Sequence, residues 1–305
     1  MSNAALQLEH VSKSFPYFVL DDLSLTLPQG QIMGFIGANG AGKSTTMRLL
    51  MGFLQADKGS IQVLGHAMPK EQVAAKWNVG YFSDDMRLYE GVSLQWYMDY
   101  YRSIFPRWDG TYASKLLQQF GLIAEQKIKG LSRGQQVKAG LLLVLARRPK
   151  LLLLDEPTTG LDPVARREIL DEIFEVLNDE ERSVLFSSHN TQDVEQISDL
   201  IAFIDRGKLI DCENKETYLQ NWRRIRMQFD NQVHGESNEF PNTIEFKQSG
   251  HLAVAVTNQY QDTMLGLYQQ QGATIQAVET MTLEEIFVAK VFSRREKISN
   301  EYTHD

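Results

Sequence analysis

The sequence predicts an α/β fold built around a parallel β-sheet. Short apolar strands alternate with amphipathic helices between residues 31 and 204, which is typical of a parallel sheet flanked by helices. The clearest strand is Leu151–Leu154, four leucines followed by two acidic residues, as expected of a strand buried on both faces. A second apolar strand, Gln31–Ile36, runs into a glycine-rich loop.

The first elements are predicted to be strands, over residues 6–27. Leu23, Leu25 and Leu27 alternate with polar residues, which is the period of a half-buried strand. The turn Pro28–Gly30 then separates these strands from Gln31–Ile36.

Helices dominate the next part of the chain. A helix is predicted over Ser44–Gly52, and residues 90–147 are mostly helical, with breaks at Pro106–Gly110 and before the helix that follows Gly130. An amphipathic helix is predicted over Val164–Leu177.

Two more strands, Ser183–Ser187 and Ile201–Ile204, complete the predicted parallel sheet. Beyond Gly207 the pattern changes to a smaller α+β unit, and the boundary is placed near residue 212. Its expected elements are strands over 222–229, 243–247, 251–257 and 274–278 and helices over 261–271 and 282–291.

Composition excludes several classes of protein. The 305 residues are 43% apolar and 23% charged, an ordinary globular balance, and the length fits one large domain or one domain plus a smaller one. Cys212 is the only cysteine, so an internal disulfide and a multi-cysteine zinc site are excluded. No apolar run reaches the roughly 20 residues of a membrane span, and the N-terminus lacks a signal-peptide pattern. The net charge of −8 argues against a nucleic-acid partner, and we expect a cytoplasmic location.

The glycine-rich segment Gly37–Ser44 matches a phosphate-binding loop, with a strand before it and a helix after it. Glycines allow successive backbone N–H groups to point at one anion, and the helix N-terminus adds a favourable dipole. Lys43 is expected to reach the β- and γ-phosphates and Ser44 to bind Mg²⁺. The expected nucleotide contacts are Asn39, Gly40, Ala41, Gly42, Lys43, Ser44 and Thr45.

Asp155 and Glu156 follow the buried strand directly. Ligands bind at the carboxyl ends of strands in such sheets, so Asp155 is expected to hold Mg²⁺ and Glu156 to polarise the attacking water. An acidic pair alone is more often a solvated strand end. Behind a phosphate loop, catalysis is the favoured interpretation.

A second anion-binding segment is Leu131–Gln135. Ser132 and Gln135 have the spacing of a capping box, so a helix is predicted to begin there, and Gly134 allows close approach to its N-terminus. Taken alone the segment is an ordinary helix cap. Since one nucleotide does not need two such sites, the alternative is that it serves the nucleotide of a second protomer.

Together these motifs resemble the nucleotide-binding domain of the ATP-binding cassette (ABC) transporter family over residues 5–210. The family's phosphate loop, signature, acid-ended strand, D-loop and switch histidine correspond in order to 37–45, 131–135, 151–156, 160–162 and His189. The resemblance implies a P-loop NTPase core over 5–211, with an antiparallel β-subdomain and a helical subdomain at about 86–147. Residues 212–305 would form the small α+β accessory domain.

The resemblance also implies roles for single residues. Phe15 occupies the place of the aromatic that stacks on adenine, although a core position is the alternative. Asp162 resembles the D-loop residue at the dimer interface, and its alternative role is to cap the next helix. His189 resembles the histidine that contacts the γ-phosphate, and Ser132, Gly134 and Gln135 would contact the partner's nucleotide.

Two residues depart from the family pattern. Arg133 stands in the signature where the family usually has Gly, and its side chain is expected to point away from the nucleotide. Asp84 stands where the family usually has a Gln that contacts metal and water. As a counterpart of that Gln, Asp84 is a candidate catalytic residue and metal ligand, although its charge would repel the γ-phosphate unless Mg²⁺ lies between them.

Aromatic residues crowd the predicted helical subdomain: Trp96, Tyr97, Tyr100, Tyr101, Phe105 and Trp108. They either form its core or line a groove that receives a transmembrane partner.

The resemblance implies a transport ATPase that binds ATP and Mg²⁺ and dimerises with itself or with a second ABC subunit. It would lie peripherally on the inner face of the cell membrane, bound to a separate permease. The C-terminal unit resembles the tail of exporter-type subunits. The alternative function is a soluble ABC ATPase that acts on ribosomes or DNA.

Overall fold

The computed structural model describes residues 4–176, 182–230 and 242–302, with side chains up to residue 295. The chain divides into two compact units, Met1–Cys212 and Glu213–Asp305. Within the described ranges, no helix combines the length and apolar character needed to cross a membrane.

A six-stranded sheet forms the centre of the first unit, in the order β10-β9-β3-β8-β7-β6. Its strands are β3 (Ile32–Ile36), β6 (Val79–Ser83), β7 (Leu151–Asp155), β8 (Ser183–Ser188), β9 (Leu200–Asp205) and β10 (Lys208–Asn214). Strand β3 pairs in parallel with β8 and β9, and β7 pairs in parallel with β6 and β8. All residues of β3, β7 and β8 are buried. The predicted parallel α/β sheet is therefore confirmed.

A four-stranded antiparallel sheet, in the order β2-β1-β4-β5, lies beside this parallel sheet. Its strands are β1 (Ala4–Phe15), β2 (Phe18–Pro28), β4 (Lys58–Val63) and β5 (His66–Ala67). Leu23, Leu25 and Leu27 are buried, as their alternation predicted. They share one apolar core with residues of the parallel sheet such as Met33 and Leu153.

Seven helices are described in the first unit: α1 (Lys43–Leu50), α2 (Gln72–Lys76), α3 (Leu94–Ile104), α4 (Gly110–Gln119), α5 (Arg133–Leu145), α6 (Pro163–Glu175) and α7 (Thr191–Ile197). A short 3₁₀ turn, Ile128–Gly130, precedes α5. Ser93 and Asp109 cap α3 and α4, because each side chain accepts a hydrogen bond from a backbone N–H of the first turn. The helical region predicted over 90–147 is thus three capped helices.

The aromatic residues of α3 divide between two environments. Trp96 and Tyr100 stack with ring centroids 5.3 Å apart, and each is 48% exposed. Tyr101 instead packs against Phe105 and Trp108. Tyr101, Phe105 and Trp108 are half-buried and none of the six aromatic residues is fully buried, so they do not form the core of the helical subdomain, and the groove for a transmembrane partner stays a prediction.

The second unit has its own four-stranded antiparallel sheet, in the order β12-β13-β11-β14. Its elements are α8 (Lys215–Asn221), β11 (Arg223–Phe229), β12 (Thr243–Ser249), β13 (Leu252–Thr257), α9 (Thr263–Gln270), β14 (Ala273–Thr280) and α10 (Leu283–Tyr302). Ile225, Met227 and Phe229 of β11 and Tyr268 of α9 belong to a separate apolar core. The second unit is therefore α+β, which confirms the predicted fold class.

Several element predictions were incomplete. The last helix was predicted to end at residue 291, but α10 continues to Tyr302. The apolar periodicity weakens after Phe292, yet no Gly or Pro follows to end the helix. Strands β4 and β10 and helix α8 were not predicted, because their sequences mix polar and apolar residues without a clear period.

We predict that residues beyond β10 are dispensable for nucleotide binding, since every predicted phosphate contact precedes them. A chain ending at Asn214 keeps β10 whole and is expected to bind ATP within about threefold of the full-length affinity. Titration with a fluorescent ATP analogue measures this, with Lys43→Ala in the same shortened chain as the control. A shortened chain that shows native circular dichroism but binds no nucleotide would contradict the prediction.

Candidate functional site

The phosphate loop joins the end of β3 to the start of α1. Gly40 and Gly42 have φ angles of +77° and +117°, a region that L-residues rarely adopt. A Cβ atom at Gly42 would also lie 3.1 Å from the Phe18 ring, so this position needs glycine for two reasons. Asn39 and Gly40 form the exposed tip of the loop, and Ser44 and Thr45 lie half-buried in the first turn of α1.

Lys43 is the only lysine of this loop, and its side chain is buried, with 5% exposed. Its Nζ donates hydrogen bonds to the carbonyl oxygens of Gly37, at 2.6 Å, and Ala38, at 3.3 Å. Nζ also lies 3.1 Å from Oε1 of Glu156. A buried charge needs such partners, and these place the ammonium group within the phosphate loop.

Glu156 follows β7 in a left-handed conformation, with φ +53°. The backbone N–H of Glu156 donates to the carbonyl oxygen of Ser187 at 3.2 Å, which ties the residue to β8. Such strain in a non-glycine residue persists only where its surroundings enforce it. Because of this backbone conformation, the chain leaves the extended path of β7 at Glu156, directly after Asp155.

The carboxylate of Glu156 is surrounded by donors. Oε2 accepts hydrogen bonds from Oγ1 of Thr159 at 2.9 Å and from Nδ1 of His189 at 2.7 Å. Burial raises the pKa of Glu156. The charge of Lys43, followed by the hydrogen bonds from Thr159 and His189, lowers the pKa by more than burial raises it, so the net pKa lies below its usual value of 4.5. Since an ionised carboxylate only accepts, Nδ1 of His189 donates, and Nε2 remains for another contact.

Asp155 is buried at the end of β7, and Oδ1 accepts a hydrogen bond from Oγ of Ser187 at 2.7 Å. No lysine or arginine of the described ranges forms an ion pair with it. A buried carboxylate without a cationic partner fits a divalent cation. No cluster of three His, Cys, Asp or Glu ligands occurs in the described part of the chain, so other oxygen atoms would complete such a site.

Asp84 follows β6 and is held at both its backbone and its side chain. Its backbone N–H donates to the carbonyl oxygen of Asp155 at 3.1 Å. Its carboxylate oxygens accept from Nη2 of Arg133 at 2.8 and 3.0 Å. The charge that was expected to face phosphate and metal is thus balanced by the other residue that departs from the family pattern. Its role as a metal ligand stays a prediction.

The predicted capping box at the start of α5 is confirmed. Oγ of Ser132 accepts from the backbone N–H of Gln135, and Oε1 of Gln135 accepts from the backbone N–H of Ser132. Ser132 is exposed, and a Cβ atom at Gly134 would lie 3.7 Å from Leu161. The signature segment is therefore an exposed helix N-terminus beside the D-loop of its own chain.

Asp162 caps α6, because its Oδ1 accepts hydrogen bonds from the backbone N–H groups of Val164 and Ala165, each at 3.0 Å. These bonds, that of Ala165 first, lower the pKa of Asp162. In the single chain, Asp162 therefore has the role of a helix cap, which was the alternative to a role at a dimer interface. The role at a dimer interface stays a prediction.

Phe15 ends β1, and its ring centroid lies 6.2 Å from that of Phe18 across the β1–β2 turn. Two neighbouring aromatic residues were not predicted as part of the site. Tyr17, at the tip of the turn, is fully exposed, and Phe18 lies against Gly42. The signal available in the sequence was the aromatic run itself, at the place where the family carries one adenine-stacking residue.

Two buried residues that were not predicted, Ser187 and Asp193, hold the site together. Ser187 bonds Asp155 through its hydroxyl and Glu156 through its carbonyl. Asp193 on α7 accepts from Oγ1 of Thr158 at 2.7 Å and from Nε of Arg166. It therefore links the segment after Glu156, the helix after the D-loop, and the helix after His189. A polar residue four positions after His189 was the only available signal.

Comparison with known proteins agrees with this geometry. A family model described as ABC transporter matches residues 20–159. The ABC transporter ATP-binding protein YtrB of Bacillus subtilis (strain 168) is 29% identical over 291 residues, which cover 95% of this chain and 99% of that protein. The lantibiotic transport ATP-binding protein SrtF of Streptococcus pyogenes is 33% identical over 208 residues, covering 67% of this chain and 89% of that protein.

Solved structures support the fold. The structure of an ATP-binding subunit of an ABC transporter superposes with a TM-score of 0.63 at 22% identity. The superposition covers 71% of this chain and 92% of the other.

The environment of Glu156 predicts a pH dependence of stability. A folded-state pKa below the unfolded value of 4.5 means that the ionised side chain stabilises the fold above pH 4.5. This contribution is lost as pH falls through the lowered pKa. The difference in unfolding free energy between wild type and Glu156→Gln is therefore expected to decrease below pH 4.5.

Urea unfolding of both proteins at several pH values measures this difference. The matched control is Glu125→Gln, because Glu125 is exposed. An unchanged difference down to pH 3, or an increase on acidification, would contradict the assigned contacts.

Proposed function

Because the chain belongs to the ABC transporter family, as an ATP-binding and ATP-hydrolysing subunit, we propose that two copies close around ATP to drive a separate membrane permease. The observation that carries the proposal is the Glu156 carboxylate, held between Lys43 and His189. The relatives are named as transport subunits, which favours transport over the alternative of a soluble ABC ATPase acting on ribosomes or DNA.

Glu156 is proposed as the general base for the attacking water. A base must be ionised, and the charges around Glu156 keep it so. Lys43 is the first of the groups that lower this pKa, so a phosphate that draws Lys43 away would raise it. Glu156 would then become a stronger base at the moment when the phosphate is in place. His189 would keep Glu156 oriented through Nδ1 and contact the γ-phosphate through Nε2.

The residues present also fit Mg²⁺. Ser44 and Asp155 supply the hard oxygen ligands that this cation prefers, and Asp155 has no other cationic partner among the described residues. The ion would neutralise charge on the phosphate oxygens. The loop residues Asn39 to Thr45 would bind the phosphates through their backbone N–H groups, while Phe15 stacks on adenine.

The exposed N-terminus of α5 supports dimerisation. The Ser132 hydroxyl and the backbone of Gly134 lie at this helix N-terminus, where the helix dipole favours an anion, while the N–H groups of Ser132 and Gln135 are held by the capping box. We propose that Ser132, Gly134 and Gln135 contact the γ-phosphate bound by a second protomer, either another copy or a second ABC subunit, with Asp162 at the interface. Each complete site would then need residues of two chains.

A permease would bind the helical subdomain. The stacked pair Trp96 and Tyr100 is half exposed on α3, and aromatic residues are enriched in protein interfaces. This contact would place the subunit on the inner face of the membrane. Export is the proposed direction, since the C-terminal unit resembles that of exporter-type subunits and SrtF is named for lantibiotic transport.

Replacing Glu156 with glutamine is expected to keep ATP binding and lower kcat by about 10²- to 10⁴-fold, because the amide keeps the shape of the side chain but cannot accept the proton. The variant is also expected to accumulate as an ATP-bound dimer. ATPase assays and size-exclusion chromatography with Mg-ATP measure these effects, with Glu125→Gln as the control. Normal turnover by a monomeric Glu156→Gln protein would contradict the role.

Complementation tests whether two chains share a site. Lys43→Ala disables the phosphate loop, and Gly134→Asp places a carboxylate at the signature, a residue that suits a first helical turn. Each variant alone is expected to be inactive. An equal mixture is expected to recover about a quarter of wild-type ATPase activity, because half of the dimers are mixed and each has one intact site.

The wild-type specific activity is also expected to rise with protein concentration. A mixture no more active than its separate components, together with a specific activity that is constant on dilution, would exclude the shared site.

A further inference from the structure

The two residues that depart from the family pattern bind each other. Arg133 at the start of α5 donates from Nη2 to both carboxylate oxygens of Asp84, at 2.8 and 3.0 Å, although 49 positions separate them in the sequence. We propose that Arg133 is a positioning residue that joins the Asp84 loop to the signature within one chain. The proposal rests on the proposed function, because it assigns this pair a role in the same ATPase cycle.

Asp84 is fixed to the site by its backbone as well. Its N–H donates to the carbonyl oxygen of Asp155 at 3.1 Å, one residue before Glu156. A displacement of Asp84 is therefore passed through one hydrogen bond to the strand end that carries the proposed metal ligand and base. The ion pair extends this connection to Arg133, next to Ser132 and Gly134.

Arg133 contacts a third segment. A Cβ atom at Gly160 would lie 3.2 Å from Cζ and 3.3 Å from Nε of Arg133, so the guanidinium lies across this glycine. Gly160 has φ +72° and begins the D-loop that leads to Asp162. The one arginine thus touches the Asp84 loop and the D-loop while it belongs to the signature.

The charges explain why an aspartate is tolerated here. An unpaired carboxylate beside Asp155 and Glu156 would add a third negative charge to a site that must bind phosphate. Arg133 balances that charge, whereas a signature glycine has no side chain that could do so. The neighbouring Arg87 donates to the carbonyl oxygen of Asp84 at 3.0 Å and therefore does not replace Arg133 at the carboxylate. The next acidic residue, Asp85, has a different cationic partner, because its Oδ2 lies 3.6 Å from Nη2 of Arg48.

The ion pair between Arg133 and Asp84 is expected to affect the catalytic rate much more than the folding stability. The side chains of Arg133 and Asp84 are 59% and 32% exposed, and ion pairs this accessible contribute little to folding stability. Losing the pair should therefore barely change the melting temperature. A position error at a catalytic group, in contrast, has a large effect on rate. The pair is expected to act on kcat.

A double-mutant cycle tests this inference. Asp84→Asn and Arg133→Ala are each expected to lower kcat roughly three- to tenfold, with KM and the affinity for a fluorescent ATP analogue within about twofold of wild type. If the two residues act through each other, the double variant is expected to be no slower than the slower single variant. Arg133→Lys is expected to retain at least about half of the activity, because it keeps the charge.

The matched control is Arg102→Ala, which removes an exposed arginine that pairs with Asp99 and does not contact Asp84, and it is expected to leave kcat unchanged. Multiplicative losses in the double variant, unchanged kcat in both single variants, or a loss confined to nucleotide affinity would each overturn the inference. Glu156→Gln is assayed alongside. Normal hydrolysis by that variant contradicts the proposed function, whereas an inactive Glu156→Gln with a multiplicative cycle contradicts only the role of Arg133.

Discussion

The site depends on the burial of one charge, the ammonium group of Lys43. Only 5% of this side chain is exposed, so the charge must be balanced within the protein. The carbonyl oxygens of Gly37 and Ala38 and the carboxylate of Glu156 do this. Because Glu156 must reach Lys43 from the end of β7, it takes a left-handed backbone conformation that its bonds to Ser187, Thr159 and His189 maintain. The same arrangement holds a carboxylate and a cation where a phosphate would bind, and a phosphate would compete with Glu156 for Lys43.

Much of this arrangement could be predicted because parallel strands end at one edge of a sheet. The buried strands β3, β7 and β8 lead directly into the phosphate loop with Lys43, into Glu156 and into His189, residue types that suggest phosphate chemistry, and the sheet order places these strands side by side. Helix caps at Ser132 and Asp162 were equally predictable, since capping is local and has a short sequence spacing. These features need only the topology and the residue types.

Other features could not be predicted, because they depend on contacts between distant side chains. Nothing in the separate surroundings of Asp84 and Arg133 indicates that they meet, and a position-by-position comparison with the family treats each as an isolated departure. Asp193 is similar: its partners Thr158 and Arg166 belong to two other segments. The long helix α10 was underestimated for a different reason, since apolar periodicity stops while helix propensity does not.

The pair of Asp84 and Arg133 bears on how family motifs are interpreted. A motif describes the side chains that most members use, whereas the proposed phosphate site requires only that the Asp84 position add no unbalanced negative charge. A glutamine meets this requirement alone. An aspartate meets it only with a cation close by, and Arg133 at 2.8 Å supplies one. An exposed pair contributes little to stability, so folding alone gives little reason to keep the two residues together. Their joint occurrence is better explained by the charge balance and geometry of the nucleotide site.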